Sequence, residues 1–299
     1  MNARDMGALF LLGALWGGSF LFIRVAVPAL GPALLMDLRV LLAAVPLVLY
    51  AATTSRLGGL RPRWRQFLIL AGLNAALPFT LIATAEINLT ASLASILNST
   101  TPLFTAVLAA LWIGESLSAR KVGGLLLGIT GVAVLVGWNP QPVSGVIILS
   151  VCASLAAALA YGLGGVYAKR SFSGVPSLTM AVGQQAAAAA ILLPLAAGTL
   201  PGEAPPLIVV FSVLSLALLS TALAYLLYFR LIANVGPTKT LTVTFLVPVF
   251  GVLFGVLLLG EPFGLGTLLG MGIILAGVVL VTGIKLKVPS RAKWGRLYT

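Results

Sequence analysis

Neutral polar side chains recur at helical spacing in two apolar stretches of this sequence. The first stretch reads ASLASILNSTTP and the second reads TKTLTVTFLVP. Side chains three or four residues apart share one face of a helix, so each stretch presents a polar stripe that ends at a proline. The stripes consist of Ser92, Ser95, Asn98, Ser99 and Pro102 in the first stretch and of Thr240, Thr244 and Pro248 in the second. Such groups either bind a solute in a cavity or form hydrogen bonds between helices.

Four aromatic residues lie toward the middle of long apolar runs, namely Trp16, Phe79, Tyr161 and Tyr225. Trp and Tyr more commonly collect at the two membrane interfaces, and a buried indole or phenol needs a hydrogen-bond partner. A hydrated central chamber would supply such partners, and packing between helices is the alternative. The adjacent amides Gln184 and Gln185 stand in an alanine-rich run, where they either hold a solute or brace a neighbouring helix.

These residues together predict a substrate chamber at the place where the two halves of the chain meet. We expect the chamber to be lined by Trp16, Phe79, Asn98, Tyr161, Gln185, Tyr225 and Thr244. Aromatic walls with a few neutral hydrogen-bonding groups suit an uncharged or zwitterionic solute with a sizeable side chain. A phosphorylated solute typically recruits Arg or Lys, of which the predicted chamber has few.

Two prolines and one arginine complete the candidate site. Pro102 and Pro248 lie about eleven residues into their apolar runs, and a proline inside a helix removes a backbone hydrogen bond and favours a kink. We therefore expect both prolines to be hinge or gating positions. Arg39 is placed about one turn inside the outer end of its run. There it either snorkels to the surface or provides an exit-side charge for a substrate carboxylate.

The elements that position these residues are predicted to be membrane-spanning helices. Of the 299 residues, 60% are hydrophobic and 8% are charged, whereas roughly a quarter of the residues of a soluble globular protein are charged. Apolar runs of about 20 residues are long enough to cross a bilayer. The sequence contains ten such runs, roughly 6–27, 34–52, 66–84, 91–113, 121–138, 144–168, 178–198, 207–229, 239–259 and 264–284. The expected fold is an all-α integral membrane protein with ten transmembrane helices.

The net charge of +12 indicates membrane topology rather than nucleic-acid binding. With a cytoplasmic amino terminus, 16 of the 18 Lys and Arg residues lie on the cytoplasmic side, and only Arg24 and Arg39 lie toward the outside. Because basic residues accumulate in cytoplasmic connections, we predict that both termini are cytoplasmic. The basic tail 285–299 is expected to anchor the last span, and contact with anionic lipid head groups is the alternative.

The chain also repeats itself. The phrase PLFTAVLAALWIGE at 102–115 returns as PVFGVLFGVLLLGE at 248–261, and the same offset of 146 positions pairs Asn88 with Asn234. Five spans per repeat would insert the two copies in opposite orientations, a construction that recurs in secondary transporters. We therefore predict two inverted five-helix repeats, residues 1–143 and 144–284. Glu115 and Glu261 close the two phrases at helix ends, where a charge reaches water. We expect them to cap a helix or anchor a connection, and substrate handling is the alternative.

Composition argues against several kinds of chemistry. The chain has no histidine and one cysteine, Cys152, inside an apolar run, so the usual metal ligands and proton carriers are scarce. All six carboxylates fall at the ends of runs or in connections, which leaves no paired acids for catalysis. We expect no enzymatic activity, no metal and no cofactor. Proton-coupled carriers usually place an acid inside the membrane, so the sequence favours transport down the substrate's own gradient.

The sequence resembles the EamA branch of the drug/metabolite transporter superfamily over almost the whole chain. The resemblance lies in the aromatic-Gly pairs that begin at Trp16 and Tyr161, in Arg39, and in the two Pro-x-Phe motifs that are followed by Gly-Glu. The resemblance implies a bacterial inner-membrane exporter of amino acids and other small metabolites, most similar to aromatic amino-acid exporters of the YddG type. A carrier of a nucleotide sugar, drug or lipid, and a channel, remain alternatives. The expected partners are an amino-acid-like solute and the lipid bilayer. A monomer is sufficient because one chain holds both repeats.

Overall fold

The computed structural model describes residues 1–54, 60–138 and 144–283, and all regular elements within these ranges are helices. Eight of them are long and apolar enough to cross a membrane, and one further apolar helix has 17 residues. In chain order they are α1 (Ala3–Thr53), α2 (Arg61–Ala85), α3 (Ala91–Ile113), α4 (Ala119–Gly137), α5 (Gly145–Ser171), α6 (Ser177–Ala197), α7 (Leu207–Val235), α8 (Val243–Leu259) and α9 (Leu265–Thr282). The prediction of an all-helical membrane protein is confirmed. The tail 285–299 lies outside the described residues.

Helix α1 contains the first two predicted spans. It is 51 residues long, but Gly31 has φ 70° and ψ 163°, which are not helical values. This residue divides α1 into two arms, 3–30 and 32–53, each of about membrane length at 1.5 Å per residue. The second arm therefore begins two residues earlier than the sequence predicted, a shift that moves Arg39 deeper into its helix.

The doubled Gly-Glu sequence is a helix stop followed by a carboxylate. Gly114 and Gly260 come directly after α3 and α8, with φ of 70° and 65°. Glycine adopts this left-handed conformation without the steric penalty that a side chain would add. The amide of each glycine donates to a carbonyl five residues earlier, which closes the helix. Both phrases thus end the helix with the same local geometry.

Two helices contain a π-helical segment at corresponding positions. In α2 the segment is Gly72–Ala76, and in α7 it is Ser215–Leu223. Adding the repeat offset of 146 to the first segment places it inside the second. Phe79 and Tyr225, which correspond by the same offset, follow directly after the two segments. Such segments shift side chains around the helix axis and are frequent at functional sites.

Helices α4 and α9 pack through glycines. A Cβ atom at Gly124 would lie 2.7 Å from the Gly277 carbonyl oxygen, and one at Gly277 would lie 2.6 Å from the Gly124 carbonyl oxygen. Gly131 and Gly270 meet in the same way farther along, with a Cβ at Gly131 reaching the Gly270 oxygen at 3.1 Å. The pairing is antiparallel, and small residues permit such close backbone approach in membranes.

Two polar contacts between the two halves of the chain correspond to each other through the repeat. The Asn234 side chain of α7 donates to Asp5 at the start of α1 at 3.1 Å. Its counterpart Asn88 donates to the Ser150 hydroxyl near the start of α5, also at 3.1 Å. Asp5 and Ser150 are 145 positions apart, the offset that also relates Trp16 to Tyr161. The halves thus resemble each other in their contacts as well as in sequence.

Candidate functional site

A cavity of about 520 Å³ lies among α1, α2, α3, α5, α7 and α8. This volume is within the range of small-molecule sites, roughly 300–1,000 Å³. Most of its wall is apolar, with a small number of polar groups directed at the same space. The lining includes Gly165 and Thr105 toward the end of the molecule that carries Glu115 and Lys169, and Ile23 and Ile82 toward the opposite end. We call the first the Glu115 end and the second the Glu261 end.

The structure brings most of the predicted chamber residues together. Six of the seven line the cavity, namely Trp16, Phe79, Asn98, Tyr161, Tyr225 and Thr244. The Phe79 and Tyr161 rings meet edge to face at 6.2 Å, and Trp16 contacts Tyr228 at 5.4 Å between ring centroids. Two rings contributed by each half of the chain therefore form much of the wall.

The placement of Gln185 in the chamber was wrong. Its side chain is fully buried but does not line the cavity, and its amide atoms have no hydrogen-bond partner among the described residues. The neighbouring Gln184 does not line the cavity either, but it holds two residues that do. It accepts from Asn74 at 2.7 Å and donates to the Tyr225 hydroxyl at 3.0 Å. Adjacent helical residues point about 100° apart, which is why only one of the two amides reaches these side chains.

Sequence reasoning missed several polar members of the lining, among them Asn74, Ser220 and Tyr228. Asn74 is an amide in the middle of an apolar run, the same signal that selected Asn98. Tyr228 follows Tyr225 by three residues, which places both on one helix face. Ser220 carries no comparable signal, because its position depends on the π-helical segment of α7.

Arg39 belongs to the cavity and not to the exit. It is 6% exposed, which excludes snorkelling, and it lies two turns beyond Gly31. Its Nε donates to the Thr221 hydroxyl at 3.0 Å, and its guanidinium carbon lies 3.7 Å from the centre of the Phe79 ring. Within the described ranges, no carboxylate comes within ion-pair distance of Arg39. The cavity wall therefore contains a buried cation that retains free N–H donors.

The polar stripe of α3 has two different roles. Asn98 lines the cavity, and its Oδ1 atom is a buried acceptor with no partner among the described residues. The hydroxyls of Ser99, Thr100 and Thr101 instead donate to backbone carbonyls one turn earlier, where the helix is interrupted before Pro102. These hydroxyls are therefore occupied by hydrogen bonds to backbone carbonyls, whereas the Asn98 side chain remains available to a ligand.

The two prolines occupy different places in their helices. Pro102 lines the cavity and lies in the first turn of the helical segment Thr101–Ile113. The N–H groups of a first turn have no acceptor within the helix, so a proline there costs no intrahelical hydrogen bond. Pro248 lies inside α8, where it removes an intrahelical hydrogen bond. Pro248 is buried and does not line the cavity. Only the second proline therefore interrupts a continuous helix.

At the Glu261 end, a carboxylate caps a helix. Glu261 accepts from the amides of Ala91 and Ser92 at 2.6 and 2.9 Å, and from the Ser92 hydroxyl at 2.5 Å. These donors form the amino terminus of α3, where a negative charge is favourable. Glu261 is 9% exposed, so the expectation that it reaches water was wrong, whereas the expectation that it caps a helix is confirmed. Arg24 reinforces the same end by donating to the backbone carbonyls of Glu86 and Ile87.

At the Glu115 end, the corresponding carboxylate has different partners. Glu115 accepts from Lys169 at 2.8 Å and lies 3.5 Å from Lys121, with 38% of its side chain exposed. The Lys169 hydrogen bond lowers the pKa of the Glu115 carboxyl. By the offset of 145, Lys169 is the counterpart of Arg24. The two ends therefore use corresponding residues in different contacts, one set capping a helix and the other pairing in water.

The fold and the cavity define a polytopic membrane protein with a central site for a small solute. The EamA-like transporter family matches residues 6–137 and 148–283, that is, both halves of the sequence separately. The chain therefore belongs to the EamA-like transporter family.

Individual relatives agree with this family. The chain is 29% identical over 277 residues to the "Uncharacterized transporter YvbV" of Bacillus subtilis, covering 91% of this chain and 90% of that protein. It is 27% identical over 296 residues to a "Probable amino-acid metabolite efflux pump" of Escherichia coli, covering 94% and 95%. A solved crystal structure has the same fold, with a TM-score of 0.66 and 19% identity over the full length of both chains.

Proposed function

We propose that this protein exports amino acids, including aromatic ones, and related small metabolites across the bacterial inner membrane. The observation that carries the proposal is the buried, unpaired Arg39 in a cavity whose other walls are aromatic and whose polar groups are neutral. An uncompensated buried charge is costly, so this site favours a solute that brings a carboxylate. The name of the Escherichia coli relative, an amino-acid metabolite efflux pump, supports the same class of substrate.

The polar groups of the cavity suit a zwitterion. The guanidinium of Arg39 has the charge opposite to that of a carboxylate, and its free N–H groups can donate two parallel hydrogen bonds to the two carboxylate oxygens. The unpartnered Oδ1 atom of Asn98 is an acceptor for an ammonium group. Phe79 and Tyr161 form an apolar wall for the side chain of the solute. A polyanion would find one cation and several acceptors here, which is a poor match.

The two halves are proposed to be inverted repeats, residues 1–143 and 144–284. Counting both arms of α1 together with α2 to α9 gives ten segments, five for each half. The paired contacts of Asn88 and Asn234 and the antiparallel glycine contacts of α4 with α9 support this assignment. One chain would then supply both halves of the site, so we propose a monomer as the working unit.

We infer that transport follows alternating access, in which the two ends open in turn. The difference between the ends supports this mechanism. Glu261 is 9% exposed and caps α3, whereas the side chain of its counterpart Glu115 is 38% exposed and pairs with lysines, so we infer that the Glu261 end is the closed one. Exchanging these two sets of contacts would convert one state into the other. With both termini cytoplasmic, the closed Glu261 end faces the periplasm and the substrate enters from the cytoplasm.

This orientation can be tested by cysteine labelling. In a Cys152→Ala background, Glu203→Cys, in the connection between α6 and α7, should react with a membrane-impermeant maleimide in intact cells. Arg61→Cys, at the start of α2, should react only after the membrane is opened, because basic residues at the ends of spans remain cytoplasmic. Both positions are exposed in the structure. Labelling of Arg61→Cys but not Glu203→Cys from outside would reverse the orientation.

The hinge role of the prolines predicts unequal effects of two substitutions. Pro248→Ala should restore the hydrogen bond to the Thr244 carbonyl and slow transport several-fold, because the stiffer helix bends less readily. Pro102→Ala should have a smaller effect, since its N–H has no intrahelical acceptor. Transport rate and expression level are measured, with Pro194→Ala in α6 as the control for an interior proline away from the cavity. Wild-type rates in Pro248→Ala would refute the hinge.

The substrate site itself is tested by removing its rings. Trp16→Ala and Tyr161→Ala should reduce phenylalanine transport more than threonine transport, because losing an aromatic wall weighs more on the larger side chain. Asn98→Ala should impair both, since it removes an acceptor for the common ammonium group. Trp64→Ala, at an exposed tryptophan outside the cavity, is the control. Equal loss of both substrates in the two ring variants would indicate damaged packing instead.

A further inference from the structure

Gln184 is a buried amide of α6 that lies behind the cavity wall. It is 4% exposed and does not line the cavity, but both of its hydrogen-bond partners do. The Asn74 side chain of α2 donates to the Gln184 carbonyl oxygen at 2.7 Å, and the Gln184 side-chain nitrogen donates to the Tyr225 hydroxyl of α7 at 3.0 Å. These three side chains form a hydrogen-bond network across three helices, which we call the Gln184 network.

The direction of the Gln184 network determines what Tyr225 presents to a solute. A tyrosine hydroxyl has one proton to donate and an oxygen that accepts, whereas an amide nitrogen only donates. Because Gln184 donates to the Tyr225 oxygen, the Tyr225 proton points away from Gln184. Within the described residues no group accepts this proton, so the hydroxyl is a hydrogen-bond donor on the cavity wall.

The Tyr225 hydroxyl and Arg39 lie on the same side of the cavity. Arg39 donates to Thr221, which precedes Tyr225 by four residues on α7, and residues at this spacing share a helix face. Arg39 and Tyr225 both line the cavity and are close enough to interact electrostatically. The two oxygens of a carboxylate accept several hydrogen bonds. A carboxylate bound by Arg39 would therefore find the Tyr225 hydroxyl as a further donor.

The Gln184 network has no counterpart through the repeat. The offset of 146 pairs Gln184 with Leu38 and Tyr225 with Phe79, and these apolar side chains form no such hydrogen bonds. The Phe79 ring instead contacts the Arg39 guanidinium. The network is therefore a feature of one side of the cavity, and a solute with two different ends needs such a difference to be oriented.

We propose that Gln184 is a positioning residue for substrate recognition, which directs the Tyr225 hydroxyl proton at the carboxylate of a solute bound by Arg39. This inference rests on the proposed function, because it requires a solute that carries a carboxylate. Gln184 itself does not contact the solute, so its effect passes through the Tyr225 hydroxyl. When Gln184 is replaced by a residue that cannot donate, the hydroxyl is free to rotate and the carboxylate loses a fixed donor.

Replacing Gln184 with methionine tests this role, because methionine is a flexible side chain of similar size that cannot donate a hydrogen bond. Equilibrium binding of labelled phenylalanine to the purified full-length protein is measured. Gln184→Met should weaken binding by roughly 3- to 10-fold, the range expected for one hydrogen bond. Gln185→Met, at the adjacent buried amide without a partner among the described residues, is the matched control and should bind like the wild type. Wild-type affinity in Gln184→Met would mean that Gln184 only fills space and would overturn the proposal.

A double-mutant cycle with Tyr225→Phe shows whether Gln184 acts through the hydroxyl. Tyr225→Phe should weaken phenylalanine binding at least as much as Gln184→Met, and the double variant should bind no more weakly than Tyr225→Phe alone. Losses that add up in the double variant would refute the proposal. So would wild-type affinity in Tyr225→Phe, a result that decides the matter even if Gln184→Met does not fold. A wild-type protein that binds no amino acid would instead refute the proposed function, and this inference with it.

Discussion

Replacing Arg39 with glutamine is expected to weaken the binding of amino acids by roughly 10- to 100-fold. A hydrogen bond to a charged group contributes about 1.5–3 kcal/mol, and each 1.4 kcal/mol corresponds to about a tenfold change in affinity. Arg39 is the cation that the described structure places in the cavity wall. Without it, a substrate carboxylate would have to be desolvated with no compensating charge. Equilibrium binding of a labelled amino acid to purified protein measures the effect.

Two control variants separate this role from packing. Thr221→Val removes the hydroxyl that holds the Arg39 Nε and should weaken binding far less, because the charge remains in the cavity. Arg39→Lys keeps the charge but loses the fork geometry and should give an intermediate affinity. If Arg39→Gln binds amino acids as tightly as the wild type while remaining folded, the carboxylate site lies elsewhere.

Placing a leucine at Gly277 is expected to cause a large loss of stability, because this glycine lies at the close contact between helices α4 and α9. The Gly124 backbone lies so near that even a methyl group at Gly277 would overlap it. Overpacking costs about 1–3 kcal/mol and occasionally more, and here the obstacle is backbone, which cannot rotate away. We expect a marked fall in the thermal unfolding temperature of the purified protein, together with lower expression.

Glycines next to this interface provide matched controls. Gly272 lies in the same helix α9, and Gly123 lies in α4, yet a Cβ atom at either would meet no other atom within 4 Å. Gly272→Leu and Gly123→Leu should therefore unfold at nearly the wild-type temperature, whereas Gly277→Leu and Gly124→Leu should not. Similar losses in all four variants would mean that leucine is disfavoured for reasons other than the α4–α9 contact.

Much of the fold can be predicted from the sequence, because apolar length alone identifies membrane helices. The boundaries of α3 at Ala91 and Ile113 were correct to the residue. The junction of the first two spans was not, because Gly31 makes a sharp bend without a polar connection. The π-helical segments have no sequence signature that distinguishes them from ordinary helix, so they could not be anticipated.

The candidate site was predicted largely through the repeat. Trp16 and Tyr161, and Phe79 and Tyr225, were selected as corresponding pairs, and the two halves converge on one cavity. Gln185 was selected as an amide within an alanine-rich run, but the direction of a side chain within such a helix depends on tertiary contacts. The second arm of α1 begins two residues, or about half a turn, earlier than predicted, and the burial of Arg39 changed its interpretation from an exit contact to a binding group.

The closed end could not be read from the sequence. Glu86 and Glu261 are 175 positions apart and both lie next to helix ends, where a carboxylate is ordinarily solvated. Their burial results from the approach of α8 to the start of α3, which brings the Ala91 and Ser92 amides to Glu261. Long-range contacts of this kind determine whether a carboxylate at a helix end is buried, and local patterns contain no record of them.

The central claim, that this protein is an amino-acid carrier, is tested most directly by counterflow. Purified protein is reconstituted into liposomes loaded with an excess of one unlabelled amino acid, and the same labelled amino acid is added outside in trace amounts. We expect a transient, saturable accumulation of label that favours the L-enantiomer and is strongest for aromatic amino acids. Flux that rises linearly with concentration would indicate a channel, and no accumulation for any amino acid of a full panel would contradict the proposed function.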